Sequence, residues 1–117
     1  MNKKILIIDD EESISFTMKT FFTSKGFEVI VPLNLDDTWE LLKNSKPDLV
    51  ITDHFMPNIN AIDVIKNVRK ESSHVPILVM SGFKVGLHLE NYKNIPLIQK
   101  PIDLEDLYLR IMSFFKK

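Results

Sequence analysis

The chain has 117 residues, of which 44% are hydrophobic and 26% charged, enough for one domain with its own core. Its 15 basic and 16 acidic side chains leave a net charge of -1, which argues against direct nucleic-acid binding. The absence of cysteine excludes disulfides and thiolate metal sites, and no apolar run reaches the length of a membrane span or a secretory signal. We therefore expect a single cytoplasmic domain over residues 1–117.

Short apolar runs recur along the chain and predict the strands. None of them alternates with polar residues, which is typical of strands buried on both faces of a parallel sheet. Pro96 lies inside the last run, and because proline cannot donate a main-chain hydrogen bond, that strand should lie at an edge of the sheet. The runs cover residues 5–8, 29–31, 49–51, 77–80 and 95–98.

Apolar residues at helical spacing lie between these runs. Gly26 should end the first helix, because glycine accepts the left-handed backbone found after many helices. The segment 82–94 contains Gly82 and Gly86 and leaves room for about two helical turns, so we expect a short or irregular fourth helix. The helical positions are Ile14, Met18, Phe21 and Phe22; Leu35, Trp39 and Leu42; Ala61, Val64, Ile65 and Val68; and, in the last helix, Leu104, Leu107, Tyr108 and Ile111.

The alternation of strands and helices predicts the fold class. Parallel strands joined through helices follow right-handed crossovers, and the result here is a doubly wound three-layer α/β sandwich. In such folds, ligands bind at the carboxyl ends of the strands. Polar residues at those ends are therefore the first candidates for a functional site.

Acids, a hydroxyl and an ammonium stand at these predicted strand ends: Asp9 and Asp10, Asp53, Ser81 and Lys100. Taken singly, each has an ordinary role as a helix cap, a turn residue or solvated surface. Taken together, they suit a phosphorylation site. Clustered carboxylates without imidazole or thiolate favour Mg²⁺, and an acid beside a metal and a lysine can attack a phosphoryl group.

These residues belong to motifs that resemble the receiver domain of bacterial two-component response regulators, the CheY-like family. The motifs are ILIIDDEES, ITDHFMP, ILVMSGF and QKP, and the resemblance covers essentially the whole chain. It implies a flavodoxin-like (βα)5 fold with a parallel five-stranded sheet in the order 2-1-3-4-5. It also implies that Asp53 accepts a phosphoryl group from a sensor histidine kinase or a histidine phosphotransfer protein.

The resemblance assigns the metal ligands. Asp10 and Asp53 would hold Mg²⁺ together with the backbone carbonyl of Phe55, and Asp9 would act largely through coordinated water. Two aromatic residues, Phe55 and Phe83, should border the phosphoryl group. We expect them to obstruct attack by water and so to prolong the life of the aspartyl phosphate.

The resemblance also assigns the residues that respond to the phosphoryl group. Lys100 would contact the phosphoryl oxygens, and the Ser81 hydroxyl would donate a hydrogen bond after phosphorylation. The Lys100-Pro101 peptide bond is expected to be cis. The output would be a partner-docking or dimer surface on this domain, whose partner is a downstream protein or an output domain of the same protein. No direct binding to nucleic acid or membrane is expected.

Several positions depart from the family pattern. Asn60-Ala61 replaces the usual Asp-Gly or Gly, so that a residue with a Cβ must accept the backbone turn there. Leu97 replaces the aromatic residue of the partner-signalling switch. Leu109 and Met112 on the last helix fall off the core stripe and predict an apolar patch for a partner or a homodimer.

Other functions compete with this interpretation. The departures favour an interaction module that signals without phosphate. A phosphatase or phosphotransferase would need a second acid where Phe55 stands, so we expect no turnover of an external substrate. The acidic loop after the first strand would repel the phosphate of a flavin. The histidines, His54, His74 and His88, lack ligand spacing and should be ordinary surface or loop residues.

Overall fold

The computed structural model describes residues 2–56, 59–82 and 95–115, with the main chain alone at Phe55. No helix in these ranges is long and apolar enough to cross a membrane. The predicted fourth helix and Phe83 lie outside the described residues. In chain order, the elements are β1 (Lys4–Ile8), α1 (Glu12–Ser24), β2 (Glu28–Ile30), a 3₁₀ turn (Leu35–Asp37), α2 (Thr38–Ser45), β3 (Leu49–Asp53), β4 (Phe55–Met56), β5 (Ile59–Asn60), α3 (Ala61–Glu71), β6 (Ile77–Ser81), β7 (Leu97–Gln99) and α4 (Leu104–Phe115).

The described strands form a parallel five-stranded sheet in the order β2-β1-β3-β6-β7. The pair β4 and β5 forms a separate antiparallel hairpin, so the main sheet has the predicted order 2-1-3-4-5. Strand β7 lies at an edge, as Pro96 predicts. The strand begins one residue after Pro96, whose carbonyl accepts a hydrogen bond from the Val79 N–H at 3.0 Å.

Each face of the sheet is covered by helices, which confirms the three-layer sandwich. Because successive side chains of a strand point to opposite faces, Leu6 and Ile8 pack towards α2 and α3, whereas Ile5 and Ile7 pack towards α1 and α4. The buried helix residues are Leu42, Ala61, Val64, Ile65 and Val68 on the first side and Met18, Phe22, Leu107 and Ile111 on the second.

The end of α1 shows how the sequence sets a boundary. Gly26 has a φ of 95°, and its N–H donates to the Thr23 carbonyl while the Phe27 N–H donates to the Phe22 carbonyl. This is the hydrogen-bond pattern of a Schellman motif, and the Phe22 and Phe27 rings pack edge to face across it. The predicted stop at Gly26 is confirmed, and the chain turns directly into β2.

The second helix differs from the expected pattern. The apolar spacing predicts that Trp39 lies on the core stripe of α2, but the residue is 36% exposed. The reason is that residues 35–37 form a tighter 3₁₀ turn, so the α-helix begins only at Thr38 and its phase is shifted. Thr38 and Leu42, four residues apart, are the buried pair instead.

Candidate functional site

The carboxyl ends of adjacent parallel strands bring the predicted site residues to one edge of the sheet. Asp9 follows β1, Asp53 ends β3, Ser81 ends β6 and Lys100 follows β7. Asp9 and Asp53 are nearly buried, at 8% and 7% exposure, whereas Asp10 is exposed. One carboxylate oxygen from each of these three acids lies within 4.8 Å of the other two.

The ammonium group of Lys100 lies among the carboxylates. Its Nζ is 3.3 Å from Oδ2 of Asp9, 3.4 Å from Oδ2 of Asp53 and 3.0 Å from Oε1 of Glu11. The Lys100 N–H donates to the Ser81 carbonyl at 2.7 Å, which fixes the start of the side chain at the end of β6. The Lys100-Pro101 bond is cis, as expected from the resemblance.

Backbone hydrogen bonds hold the two buried acids. The Glu11 N–H donates to Oδ1 of Asp9 at 2.9 Å. The His54 N–H donates to Oδ1 of Asp53 at 3.0 Å and also to the Met80 carbonyl at 2.8 Å. The carboxylate of Asp53 is therefore oriented by the residue that follows it, and Oδ2 is the oxygen that lies nearer to Lys100.

Burial and mutual repulsion shift the pKa values of these groups. Burial raises the pKa of Asp9 to about 6, opposed by the Glu11 N–H, and the neighbouring Asp53 charge adds to the rise. Burial also raises the pKa of Asp53, although the Lys100 charge opposes this. Burial by itself would lower the pKa of Lys100, but its hydrogen bond with Glu11 and the charges of Asp9 and Asp53 raise it. Because burial is the main cause of both raised carboxyl pKa values, these two carboxylates are costly to ionise in this site.

The donor set fits Mg²⁺. Its atoms are hard carboxylate oxygens, and the excess of negative charge over the one ammonium would be relieved by a divalent cation. Phe55 lies in β4, two residues beyond Asp53, where its main chain pairs with Asn60. Asp9, Asp10, Asp53 and the Phe55 carbonyl thus remain the predicted ligands.

Two residues near the site were misjudged from the sequence. The sequence pattern gives Glu11 no role beyond the acidic loop after the first strand, yet Glu11 makes the shortest ion pair that is described for Lys100. His54 was expected at the surface or in a loop. It does lie in the short connection between β3 and β4, but it is buried, at 7% exposure, and so is not a surface residue. Its main chain is bonded to Met80 and to the Ala61 N–H, which draws the residue between β6 and the start of α3. His74 is exposed as expected, and His88 lies outside the described residues.

The departures from the family pattern have different outcomes. Asn60 caps α3 with extended backbone angles of -127° and 169°, and its Oδ1 accepts a hydrogen bond from the Asp63 N–H at 2.9 Å. Ala61 begins α3 without a positive φ, so this turn does not need glycine. Leu97 is 39% and Leu109 64% exposed. Met112, in contrast, is half-buried and packs against the core cluster on the α1 and α4 side, so the expectation that it falls off the core stripe is wrong.

Residues 5–112 match the family model described as the response regulator receiver domain, and the chain belongs to this family. It is a receiver domain of the two-component response-regulator class, and receiver domains of this class generally serve as signalling modules rather than enzymes.

Among curated proteins, the chain is 35% identical over 82 residues to the alkaline phosphatase synthesis transcriptional regulatory protein PhoP of Bacillus subtilis, covering 70% of this chain and 34% of PhoP. It is 27% identical over 119 residues to the transcriptional regulatory protein CrdR of Helicobacter pylori, covering 98% of this chain and 56% of CrdR. The matched region therefore spans about a third of PhoP and just over half of CrdR.

Solved structures share the fold. A two-component response regulator from Clostridium difficile superposes with a TM-score of 0.89 at 23% identity, covering 99% of this chain and 98% of that one. The chemotaxis protein CheY4 of Vibrio cholerae superposes with a TM-score of 0.87 at 21% identity, covering 97% of this chain and 99% of that one. At these identities the likeness establishes the fold alone.

Proposed function

We propose that this domain is a phosphorylation-controlled switch in which Asp53 accepts a phosphoryl group from a phosphohistidine. The observation that carries the proposal is the convergence of Lys100, Asp9 and Asp10 on the carboxylate of Asp53, at the strand edge where such folds bind ligands. The donor would be a sensor histidine kinase or a histidine phosphotransfer protein, and the domain would keep its expected cytoplasmic location.

The transfer uses the oriented carboxylate of Asp53. The His54 N–H holds Oδ1, which leaves Oδ2 to attack phosphorus. The new O–P bond forms as the P–N bond of the phosphohistidine breaks, and the electron pair returns to the imidazole nitrogen. Lys100, 3.4 Å from Oδ2, is placed to neutralise charge on the phosphoryl oxygens.

Mg²⁺, when bound, supplies further positive charge to the phosphoryl oxygens. We assign Asp10, Asp53 and the backbone carbonyl of Phe55 as its ligands, with Asp9 acting largely through coordinated water. Because the ligands must be ionised and the pKa of Asp9 is about 6, metal affinity should fall as the pH drops through this value.

The switch begins at Ser81. This residue is 1% exposed at the end of β6, and its carbonyl is bonded to the Lys100 N–H. A phosphoryl group that draws the Ser81 hydroxyl and the Lys100 ammonium towards Asp53 would therefore act on the ends of β6 and β7 together. A bias of about 1.4 kcal/mol changes a two-state ratio tenfold, so a few charge-assisted hydrogen bonds suffice.

We propose that the switch acts on a protein partner. Both relatives described above are named as transcriptional regulators, and this chain spans only part of their length. The switch would act on a downstream protein or on an output domain of the same protein. A homodimer through α4 is a further proposal, supported by the exposed Leu109; a shift from monomer to dimer in light scattering on phosphorylation would support it.

A phosphorylation-independent interaction module is the second candidate. It is favoured by Leu97, an exposed aliphatic residue on the edge strand where the family usually has its switch aromatic. Mg²⁺ binding distinguishes the two, because a module without phosphorylation has no need to keep a metal site.

Intact-mass measurement after incubation with acetyl phosphate and Mg²⁺ tests the proposed function. We expect one added phosphoryl group on the wild-type protein. An Asp53→Ala variant and a sample with excess chelator should show none, and Asp36→Ala, on the exposed 3₁₀ turn, should behave as the wild type. A folded wild-type protein without the adduct would favour the interaction module.

A further inference from the structure

Glu11 stands out among the acids around Lys100. Its Oε1 lies 3.0 Å from Nζ, closer than the oxygens of Asp9 and Asp53 at 3.3 Å and 3.4 Å. The proposed function gives Glu11 no role, because the receiver motifs assign the metal and phosphoryl contacts to other residues.

The main chain of Glu11 is fixed, although its side chain faces solvent. It is the N-cap residue of α1, and its carbonyl accepts hydrogen bonds from the Ile14 and Ser15 N–H groups, each at 3.1 Å. Its own N–H donates to Asp9. The side chain makes no capping hydrogen bond, so its described polar contact is the ion pair with Lys100.

The partners of Lys100 differ in exposure. The side chains of Asp9 and Asp53 are 0% and 10% exposed, whereas that of Glu11 is 55% exposed. An ammonium group has three hydrogens, and each of the three carboxylates within the described residues can take one. A phosphoryl group on Asp53 needs at least one of them, and Glu11 is the partner that water can most readily solvate on release.

We propose that Glu11 is a positioning residue that holds Lys100 in the unphosphorylated protein and yields it to the phosphoryl group. This inference rests on the proposed function and deepens it. Two effects act in the same direction: Glu11 competes for the ammonium, and its negative charge repels an anionic phosphodonor. Glu11 therefore weakens binding of the phosphodonor and favours binding of the divalent cation.

The effect should appear as opposite changes in two affinities. For Glu11→Ala, we expect the KM for acetyl phosphate to fall roughly two- to five-fold, as for loss of an exposed ion pair, and the affinity for Mg²⁺ to fall by a similar factor. General damage to the site would weaken both interactions. Glu12→Ala is the matched control, because Glu12 is the next residue and is exposed, and its replacement by alanine removes the same charge. It should change each affinity by less than half as much.

Glu11→Asp distinguishes the effect of the contact with Lys100 from the effect of the negative charge at position 11. It keeps the negative charge but is one methylene shorter, so we expect its KM for acetyl phosphate to lie nearer to that of Glu11→Ala than to that of the wild type. The proposal would be overturned if Glu11→Asp had the KM of the wild type for acetyl phosphate. It would also be overturned if Glu11→Ala and Glu12→Ala changed the two affinities equally.

The Lys100 Nζ resonance in nitrogen-15 NMR gives a readout that needs no phosphodonor and no metal. It should move in Glu11→Ala and Glu11→Asp but not in Glu12→Ala, and an unmoved resonance in Glu11→Ala would show that the contact is not formed in solution. If the wild-type protein takes up no phosphoryl group, the proposed function fails. The NMR and Mg²⁺ measurements then still decide whether Glu11 holds Lys100.

Discussion

Two lysines show how differently one type of side chain is used in this domain. Lys25 follows α1, with its Nζ 3.9 Å from Oε1 of Glu105 and 5.3 Å and 4.9 Å from the ring centroids of Phe21 and Tyr108. Its side chain is 33% exposed, and that of Glu105 is 68% exposed. Lys100 is only 15% exposed and lies among carboxylates.

The difference lies in what surrounds the charge. Around Lys25, aromatic faces and one solvated carboxylate give a weak, screened attraction that helps join α1 to α4. Around Lys100, the acids outnumber the ammonium, and burial raises the pKa of both Asp9 and Asp53. The first arrangement suits stability. The arrangement around Lys100 keeps carboxylates close together at a cost in stability. A divalent cation, alone or together with a phosphoryl group, would reduce that cost.

Among substitutions around the two lysines, the largest change in the free energy of unfolding is expected at Asp9. Its folded-state pKa is raised from 3.8 to about 6, so ionisation destabilises the fold. This cost is absent below pH 3.8 and complete above about pH 6, so its contribution to the free energy of unfolding falls as pH rises between these values. At pH 7 without metal, Asp9→Asn should be more stable than the wild type by up to about 3 kcal/mol.

Urea unfolding at pH 7 and pH 4 in chelator measures this difference. The gain of Asp9→Asn should shrink towards zero at pH 4. Glu105→Gln, which removes the partner of Lys25, should instead lose less than about 1 kcal/mol. A destabilised Asp9→Asn at pH 7 would show that the carboxylate is a net stabilising group.

Mg²⁺ bound at the carboxylates around Lys100 should raise the free energy of unfolding. A ligand at a hundred times its dissociation constant raises the free energy of unfolding by about 2.7 kcal/mol. We expect such a gain for the wild type at pH 7.5, a smaller one at pH 5.5 where Asp9 takes up a proton, and little for Asp10→Asn. Thermal unfolding with Mg²⁺ or chelator provides the measurement. Ca²⁺ tests selectivity, because the larger ion prefers more ligands.

Removal of each lysine gives the smaller effects. In chelator at pH 7, Lys100→Met should lower the free energy of unfolding by about 2 kcal/mol, because it leaves buried carboxylates without their cation. Lys25→Met should lower it by less than about 1 kcal/mol, since its ion pair is solvated. Denaturant titration of both variants compares them directly. Equal losses would mean that burial does not separate the two sites.

Much of the fold follows from local patterns. The unalternating apolar runs predict buried parallel strands, Pro96 predicts the edge position of β7, and Gly26 predicts the end of α1. Each of these features depends on a few neighbouring residues, so it can be predicted from the sequence alone. The exposure of Trp39 depends instead on a 3₁₀ turn that shifts the phase of α2, and the apolar pattern carries no mark of that turn.

In the candidate site too, some features were predictable from the sequence and others were not. Asp9, Asp53 and Lys100 were predicted because parallel strands must bring their carboxyl ends together, and the described geometry joins them. The contact of Glu11 with Lys100 depends on side-chain reach across 89 positions of the chain, which no local pattern encodes. The burial of His54 likewise depends on main-chain bonds to Met80 and Ala61, which are set by the packing of β6 and α3.

The most direct test of phosphoryl transfer to Asp53 is to locate the phosphoryl group. The protein is incubated with acetyl phosphate and Mg²⁺, reduced with borohydride, which converts an aspartyl phosphate to homoserine, and then mapped by peptide mass spectrometry. We expect homoserine at position 53 and at no other acid, with none in a chelator-treated sample. Homoserine at Asp9 or Asp10, or at no position in a folded protein, would contradict it.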